Sequence, residues 1–401
     1  MLLTEDQDFS LSTEKDDLLN KMIVKGSTEN ETFYQYQIKM GAWQKENEKQ
    51  QNILKEDKEN AEAKASVKKI DEEVREYRAT MASDYPNLFL TKILRMMADP
   101  DVPEFPRDDS GKVLDSAFQY YWLKNHYWDN TDFSDDRILR TPVYYGRLKR
   151  FMEQMTVQVP DSVKNAADRI LELTERNKEI FKYTLITIFN MYVNSKIMGM
   201  DAVYVHLSQN YYMTKRVDWV DHESKFYKDL IDRIEKLDKT TLGKQMINFM
   251  LQTPSGEDVI LHSMKADYIV TFFYDPGCGH CRKMLPVMKK NYENFKDYGV
   301  KFLGICTIRE KDKFTKGVEE HKLDWINLFD EDTRTDFKNW YDIYSTPVLY
   351  ILDNNKTIIA KRIAPEQVED FLEHKLGIEI PADRSVNTVP VKEEDDGEEE
   401  D

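Results

Sequence analysis

The spacing of apolar positions changes character along the chain and divides it into five stretches. Residues 1–40 hold short apolar pieces, Phe9-Ser10-Leu11 and Met22-Ile23-Val24, set against turn-formers such as Gly26-Ser27. They predict one or two strands and then a helix starting near Thr28, and suggest a remnant of an N-terminal β domain. Residues 41–84 are dominated by Glu, Lys, Gln, Asn and Ala, which favour helix. Val67, Ile70, Val74, Tyr77 and Met81 recur every three or four residues, so one long helix is expected, packed only through its C-terminal half.

Residues 85–240 are aromatic-rich and read as mostly helical. The Pro-punctuated segment 99–106 separates a helix over about 87–98 from one over about 112–128. Ile180 to Met200 is apolar almost all round and predicts a buried central helix, with Lys182, Asn190 and Asn194 arguing against a membrane span. The cluster Tyr120-Tyr121-Trp122 with Tyr127-Trp128 predicts core packing rather than a ligand face. Asp221-His222-Glu223 resembles a metal set, but three consecutive helical positions point about 100° apart and cannot converge on one ion.

Residues 243–378 alternate β-rich runs with helical patterns. Strands are expected at Tyr268–Tyr274, Val300–Cys306, Trp325–Phe329, Val348–Leu352 and Thr357–Ile363, with a last helix at Pro365–Leu376. Asp353-Asn354-Asn355-Lys356 is a hairpin signal. A βαβ part followed by ββα predicts a mixed sheet flanked by helices, giving an α plus α/β multidomain chain with its helical region first. Residues 379–401 read as an acidic, disordered tail, since 393–401 contains eight acids and one Gly.

Composition narrows the function. A formal charge of −17 argues against nucleic acid or an anionic membrane as partner, because phosphate contacts need surplus Lys and Arg. No apolar run is long enough to span a bilayer. Met1-Leu2-Leu3 leads straight into Thr4-Glu5-Asp6, without the basic and apolar regions of an export leader. Three Cys in 401 residues exclude a disulfide-stapled scaffold and a four-Cys zinc site, and no metal or other cofactor is expected.

Two of the three lie in Cys278-Gly279-His280-Cys281, after a buried strand and the turn Asp275-Pro276-Gly277. A CxxC opening a helix becomes a redox pair. The first thiolate is stabilised by unpaired N–H groups and the helix dipole, and the second, one turn on, can close the ring. Cys278 is therefore the expected nucleophile and Cys281 the buried resolving thiol. Cys306, ending a predicted strand, reads as a buried inert thiol. Arg282 and Lys283 either support the thiolate or form the solvated helix face.

Four features give residues 243–378 their resemblance to a thioredoxin-fold thiol–disulfide oxidoreductase of the TlpA/ResA-like branch. They are Phe272-Phe273-Tyr274-Asp275-Pro276-Gly277 before the CGHC, Pro286 in the active-site helix, Ser345-Thr346-Pro347 opening a strand, and the leading segment Gly243 to Leu261. The whole chain resembles a bacterial envelope family in which a helical region precedes this domain. The resemblance implies a cis-proline at Pro347 facing the disulfide, with Thr346 offering main-chain groups to an extended peptide. It also implies location in the periplasm or cell envelope, free or lipid-anchored, with protein thiols and disulfides as clients and a redox partner protein.

Two positions depart from the family: Gly277 stands where Trp is usual, opening that side of the site, and Phe272 replaces a buried acid. His280 is expected to stabilise the reduced form and make the couple more oxidising. The same inner pair occurs in protein disulfide isomerase, at about −180 mV against about −270 mV for thioredoxin. Exchange or isomerisation of envelope-protein disulfides is the expected function. The alternatives are a helical scaffold with an accessory redox domain, or a thiol peroxidase, which would need Thr where Asp275 stands.

Overall fold

The computed structural model describes residues 8–330 and 335–381. The acidic run 393–401 lies outside the described residues, as does all of the expected tail beyond Pro381. Two compact units divide the chain, one from residues 1–157 with 166–184, the other from 158–165 with 185–401.

In the first unit, strands β1 (Ser10–Ser12) and β2 (Ile23–Lys25) pair antiparallel ahead of helix α1 (Thr28–Glu56), which Ser27 caps through a hydrogen bond from the Asn30 N–H. The expected single long helix is instead two. Helix α1 ends at Glu56, and α2 (Ala61–Asp84) restarts behind Asn60, whose side chain accepts the Ala63 N–H at 3.0 Å. Asn60 offers its own cap in place of helix continuation, which the surrounding Glu and Lys do not reveal. The halves pair with each other: Trp43 Nε1 donates to Glu73 at 2.8 Å, and Arg78 Nε to the Tyr36 hydroxyl at 3.1 Å.

Helix α3 (Phe89–Met97) buries most of its length, and its Phe89 and Leu90 N–H groups are taken by the Glu29 carboxylate at 2.8 Å each. The helix expected over 112–128 is shorter, α4 (Phe118–His126), because Asp115 forms a turn by accepting the Ala117 N–H. Its aromatic cluster splits. Tyr127 and Trp128 are core, whereas Tyr120 and Tyr121 are exposed, so the core-packing expectation fails for those two. Helices α5 (Pro142–Lys149), α6 (Pro160–Thr174) and α7 (Lys178–Val193) follow. The last of these stops at Val193 instead of reaching Met200, and Gly199, at φ +86°, precedes α8 (Asp201–Leu207). Asp221-His222-Glu223 lies in a turn rather than a helix, with His222 stacked on Tyr227 at 4.3 Å ahead of α9 (Lys225–Lys239).

The sheet of the second unit follows: β3 (Met250–Gln252), β4 (Asp258–Ile260), β5 (Tyr268–Tyr274), helix α10 (Gly279–Phe295), β6 (Val300–Cys306), α11 (Lys311–Glu320), β7 (Ile326–Phe329), α12 (Phe337–Tyr341), β8 (Val348–Asp353), β9 (Ile358–Lys361) and α13 (Gln367–Leu376). Strand order is β4-β3-β7-β6-β5-β8-β9, parallel through β5, β6 and β7 and antiparallel at both margins. Central β5 alternates between two cores: Val270, Phe272 and Tyr274 pack with α10 and α13, and Ile269 and Phe273 with β3 and α12. This is a thioredoxin fold behind a helical region, and its βαβ turn after β5 sets Cys278 at the sheet's C-terminal edge.

Candidate active site

Strand β5 delivers the chain into a tight turn organised by Asp275. Its carboxylate accepts the Gly277 N–H at 2.7 Å, its carbonyl accepts the Cys278 N–H at 3.0 Å, and its own N–H points to Cys281 Sγ at 3.5 Å. Pro276 rests on Gly317 of α11, where an added Cβ would come within 2.5 Å of the proline ring. Sequence reasoning placed Asp275 in this turn, without its bonding role, and passed over Gly317. An Asp two residues before a Gly is the turn signal that finds the first.

Cys278 is the N-cap residue of α10, with extended backbone (φ −78°, ψ 126°) and no side-chain cap bond. Its thiol lies below the ordinary cysteine value. The Cys281 backbone N–H is the main cause, helped by that of His280 and by side-chain hydrogen bonds from Cys281 and Thr346, against partial desolvation. One turn in, Cys281 is 1 % exposed, and burial pushes its thiol up to about 11. Both cysteines are free thiols. One environment thus holds an accessible sulfur inclined to ionise and a buried one that resists it.

The facing wall is the Thr346–Pro347 peptide, which is cis. The Cys278 thiol lies 3.7 Å from the Thr346 carbonyl oxygen. A groove of about 680 Å³ runs alongside, lined in part by Thr307, Arg309, Tyr344, Ser345 and Thr346. Gly277 and Gly279 are exposed. His280 is exposed, and its imidazole makes no hydrogen bond among the described residues. Pro286 sits inside α10 on its exposed face, five residues after Cys281.

Cys306 is fully buried at the end of β6, beside Tyr274 in the parallel register, and burial pushes its thiol up to about 12. That value keeps it protonated at neutral pH. Phe272, in place of the family's buried acid, is fully buried against Trp325 at 5.3 Å. No group of three or more His, Cys, Asp or Glu side chains fit to hold a metal occurs among the described residues. No described helix is long and apolar enough to cross a membrane.

Residues 242–361 match the family described as the AhpC/TSA family, and residues 45–236 match a domain of unknown function, DUF5106. The thiol-disulfide oxidoreductase ResA of Bacillus cereus is 22 % identical over 139 residues, 34 % of this chain and 79 % of that protein. ResA of Bacillus subtilis is 20 % identical over 143 residues, 36 % of this chain and 78 % of that protein. A solved thioredoxin-like protein from Bacteroides caccae, 21 % identical, covers 68 % of this chain and 98 % of its own at a TM-score of 0.52, a likeness of fold. Fold, family matches and relatives agree on the C-terminal part: residues 242–361 are an AhpC/TSA-family, thioredoxin-fold domain similar to ResA thiol–disulfide oxidoreductases, and it follows a helical region that matches DUF5106.

Proposed function

We propose that Cys278 and Cys281 exchange disulfides with client proteins of the bacterial envelope. The observation that carries this reading is the split between the two thiols, one accessible with its value lowered by helix N–H groups, the other buried and raised to about 11. In the reducing direction the Cys278 thiolate attacks a client disulfide, forming a mixed disulfide and releasing the client's second sulfur as a thiolate that takes up a proton. Cys281 then gives up its proton and attacks Cys278 Sγ, the client's first thiol leaves, and two electrons have passed to the client. With no carboxylic acid at Phe272, solvent is the proposed acceptor of the Cys281 proton. The isomerising direction stops at the mixed disulfide and returns the bond to another client thiol.

Thr346 and Pro347, at the groove beside the sulfur, are the proposed contacts for an extended client backbone, with the open flank at Gly277 admitting it. His280 is assigned the role of favouring the reduced pair, so redox titration should give a potential nearer about −180 mV than about −270 mV. An oxidising compartment suits such a couple, and periplasm or envelope is the proposed location. We retain the boundary near residues 240–243 as the proposed start of the redox domain. The peroxidase alternative loses ground at Asp275, which cannot supply the hydroxyl a peroxide would meet there.

Trapping tests the reading. Cys281→Ser in the full chain should accumulate covalent client adducts that reducing agent releases, and Cys278→Ser should accumulate none. Equal yields from both variants would show that Cys278 is not the nucleophile.

A further inference from the structure

Next to the cis-proline loop lies a second cavity, of about 750 Å³, that the exchange chemistry does not use. Its walls come from the end of α7, the turn 194–200 that carries Lys196 and the start of α8, from α9, and from the loop and strand around 342–345 and 361–362. Four cations line it, Lys196, Arg233, Lys361 and Arg362, against two carboxylates, Asp201 and Asp342. In a chain carrying −17 overall, this concentration of positive charge is local and specific.

Both carboxylates are already engaged. Asp201 pairs with the Lys361 ammonium, which also donates to the Thr240 carbonyl at 2.7 Å. Asp342 pairs with Arg362 at 2.6 Å. The two remaining cations have no carboxylate within ion-pair distance among the described residues, although Arg233 lies over the Tyr204 ring at 5.5 Å and exerts a through-space pull on Asp342. The cavity therefore holds two positive charges in excess of its own acids.

Its position ties it to the sulfur. Tyr344 and Ser345 line both this cavity and the groove at Cys278, and Thr346, the next residue, carries the carbonyl that faces the thiol. Tyr344 is 57 % exposed and sits beneath the Lys236 ammonium of α9 at 5.5 Å. A client strand lying along this loop, its cysteine at Cys278, would present residues two to four positions away at the cavity mouth, given about 3.3–3.6 Å per extended residue.

We propose that this cavity is a specificity subsite that receives an acidic side chain of the client, two to four residues from its reactive cysteine, between Lys196 and Arg233. The inference rests on the exchange reading and gives the helical region a task in it, since both cations come from helical-region residues rather than the sheet. Charge complementarity of this kind acts on partner choice and association rate more than on the chemical step.

The test uses the full reduced chain and disulfide-linked peptides whose flanks are Glu, Ala or Lys. The reduced wild type should react with the Glu peptide with a second-order rate constant roughly fivefold that for the Lys peptide at low salt, the size two exposed charge contacts can supply. That ratio should shrink toward one in the Lys196→Gln/Arg233→Gln variant and in high salt, and should survive Arg233→Lys. Circular dichroism and thermal melting establish that each variant is folded. Equal rate constants for the Glu and Lys peptides with the wild type, or an undiminished ratio in the double variant, overturns the subsite. Reaction of the reduced wild type with the neutral disulfide bis(2-hydroxyethyl) disulfide reports the exchange chemistry separately; its absence would fell that reading and the subsite with it.

Discussion

At the scale of single residues, the site is a contrast between two identical side chains. Cys278 and Cys281 differ because one caps a helix in partial exposure and the other lies one turn deeper at 1 % exposure. The contrast has a direct pH signature. A thiol whose value is lowered holds more thiolate at neutral pH than a free cysteine at about 8.5, and a raised one holds less. Iodoacetamide should therefore modify Cys278 with a rate that reaches half its maximum below about pH 8.5. Cys281 should stay unmodified until near its value of about 11, and Cys306 until about 12. Mass spectrometry after a short pulse at a series of pH values reads all three, and a Cys278 profile centred at or above the free-cysteine value would contradict the helix-terminus argument. The pair Cys278 and Cys281 was legible in the sequence because strand, turn, CxxC and helix are consecutive, and Cys306 because it ends an apolar strand. Asp275's part was legible only as a turn signal, which does not reveal that its own N–H reaches Cys281 Sγ.

At the scale of elements, periodicity located β5, β6 and β8 within a residue or two, because each buries a regular face against a large core. It failed at the break between α1 and α2, where a cap residue in a uniformly polar run sets the boundary and no apolar stripe registers it. It failed also to show that α11 supports the active-site turn. Gly317 is buried, and any side chain there meets Pro276. Gly317→Val should cost about 1–3 kcal/mol by overpacking, measurable in a denaturant titration, and displace the turn that carries Cys278. The same variant should exchange client disulfides more slowly at a temperature where it remains folded. Unchanged stability and rate would show that the turn does not lean on α11.

At the scale of the molecule, the sequence separates helices from strands near residue 240, yet the second compact unit includes residues 185–240 together with the sheet. Nothing local announces this. Asp201 and Lys361 are 160 residues apart, and each reads alone as an ordinary surface charge. Together they form an ion pair with the lysine side chain at 3 % exposure and the aspartate at 19 %. Burial lowers the Lys361 value and Asp201 opposes that shift, so the ammonium depends on its partner. Removing one member of a buried pair costs about 3–5 kcal/mol, and the residual exposure of Asp201 places Asp201→Ala near about 3 kcal/mol. Chemical denaturation of that variant checks the figure, and a loss under about 1 kcal/mol would mean that water or Thr240 alone suffices.

Lys361 closes its hydrogen bonds on Thr240 as well as on Asp201, so the final sheet strand is finished by chain that comes before the sheet begins. A fragment trimmed to start at Gly243, the obvious place to cut for expression, would leave a naked cation in what had been an interior. Whoever wishes to study the redox half by itself should begin upstream of Asp201, so that Lys361 keeps both of its partners.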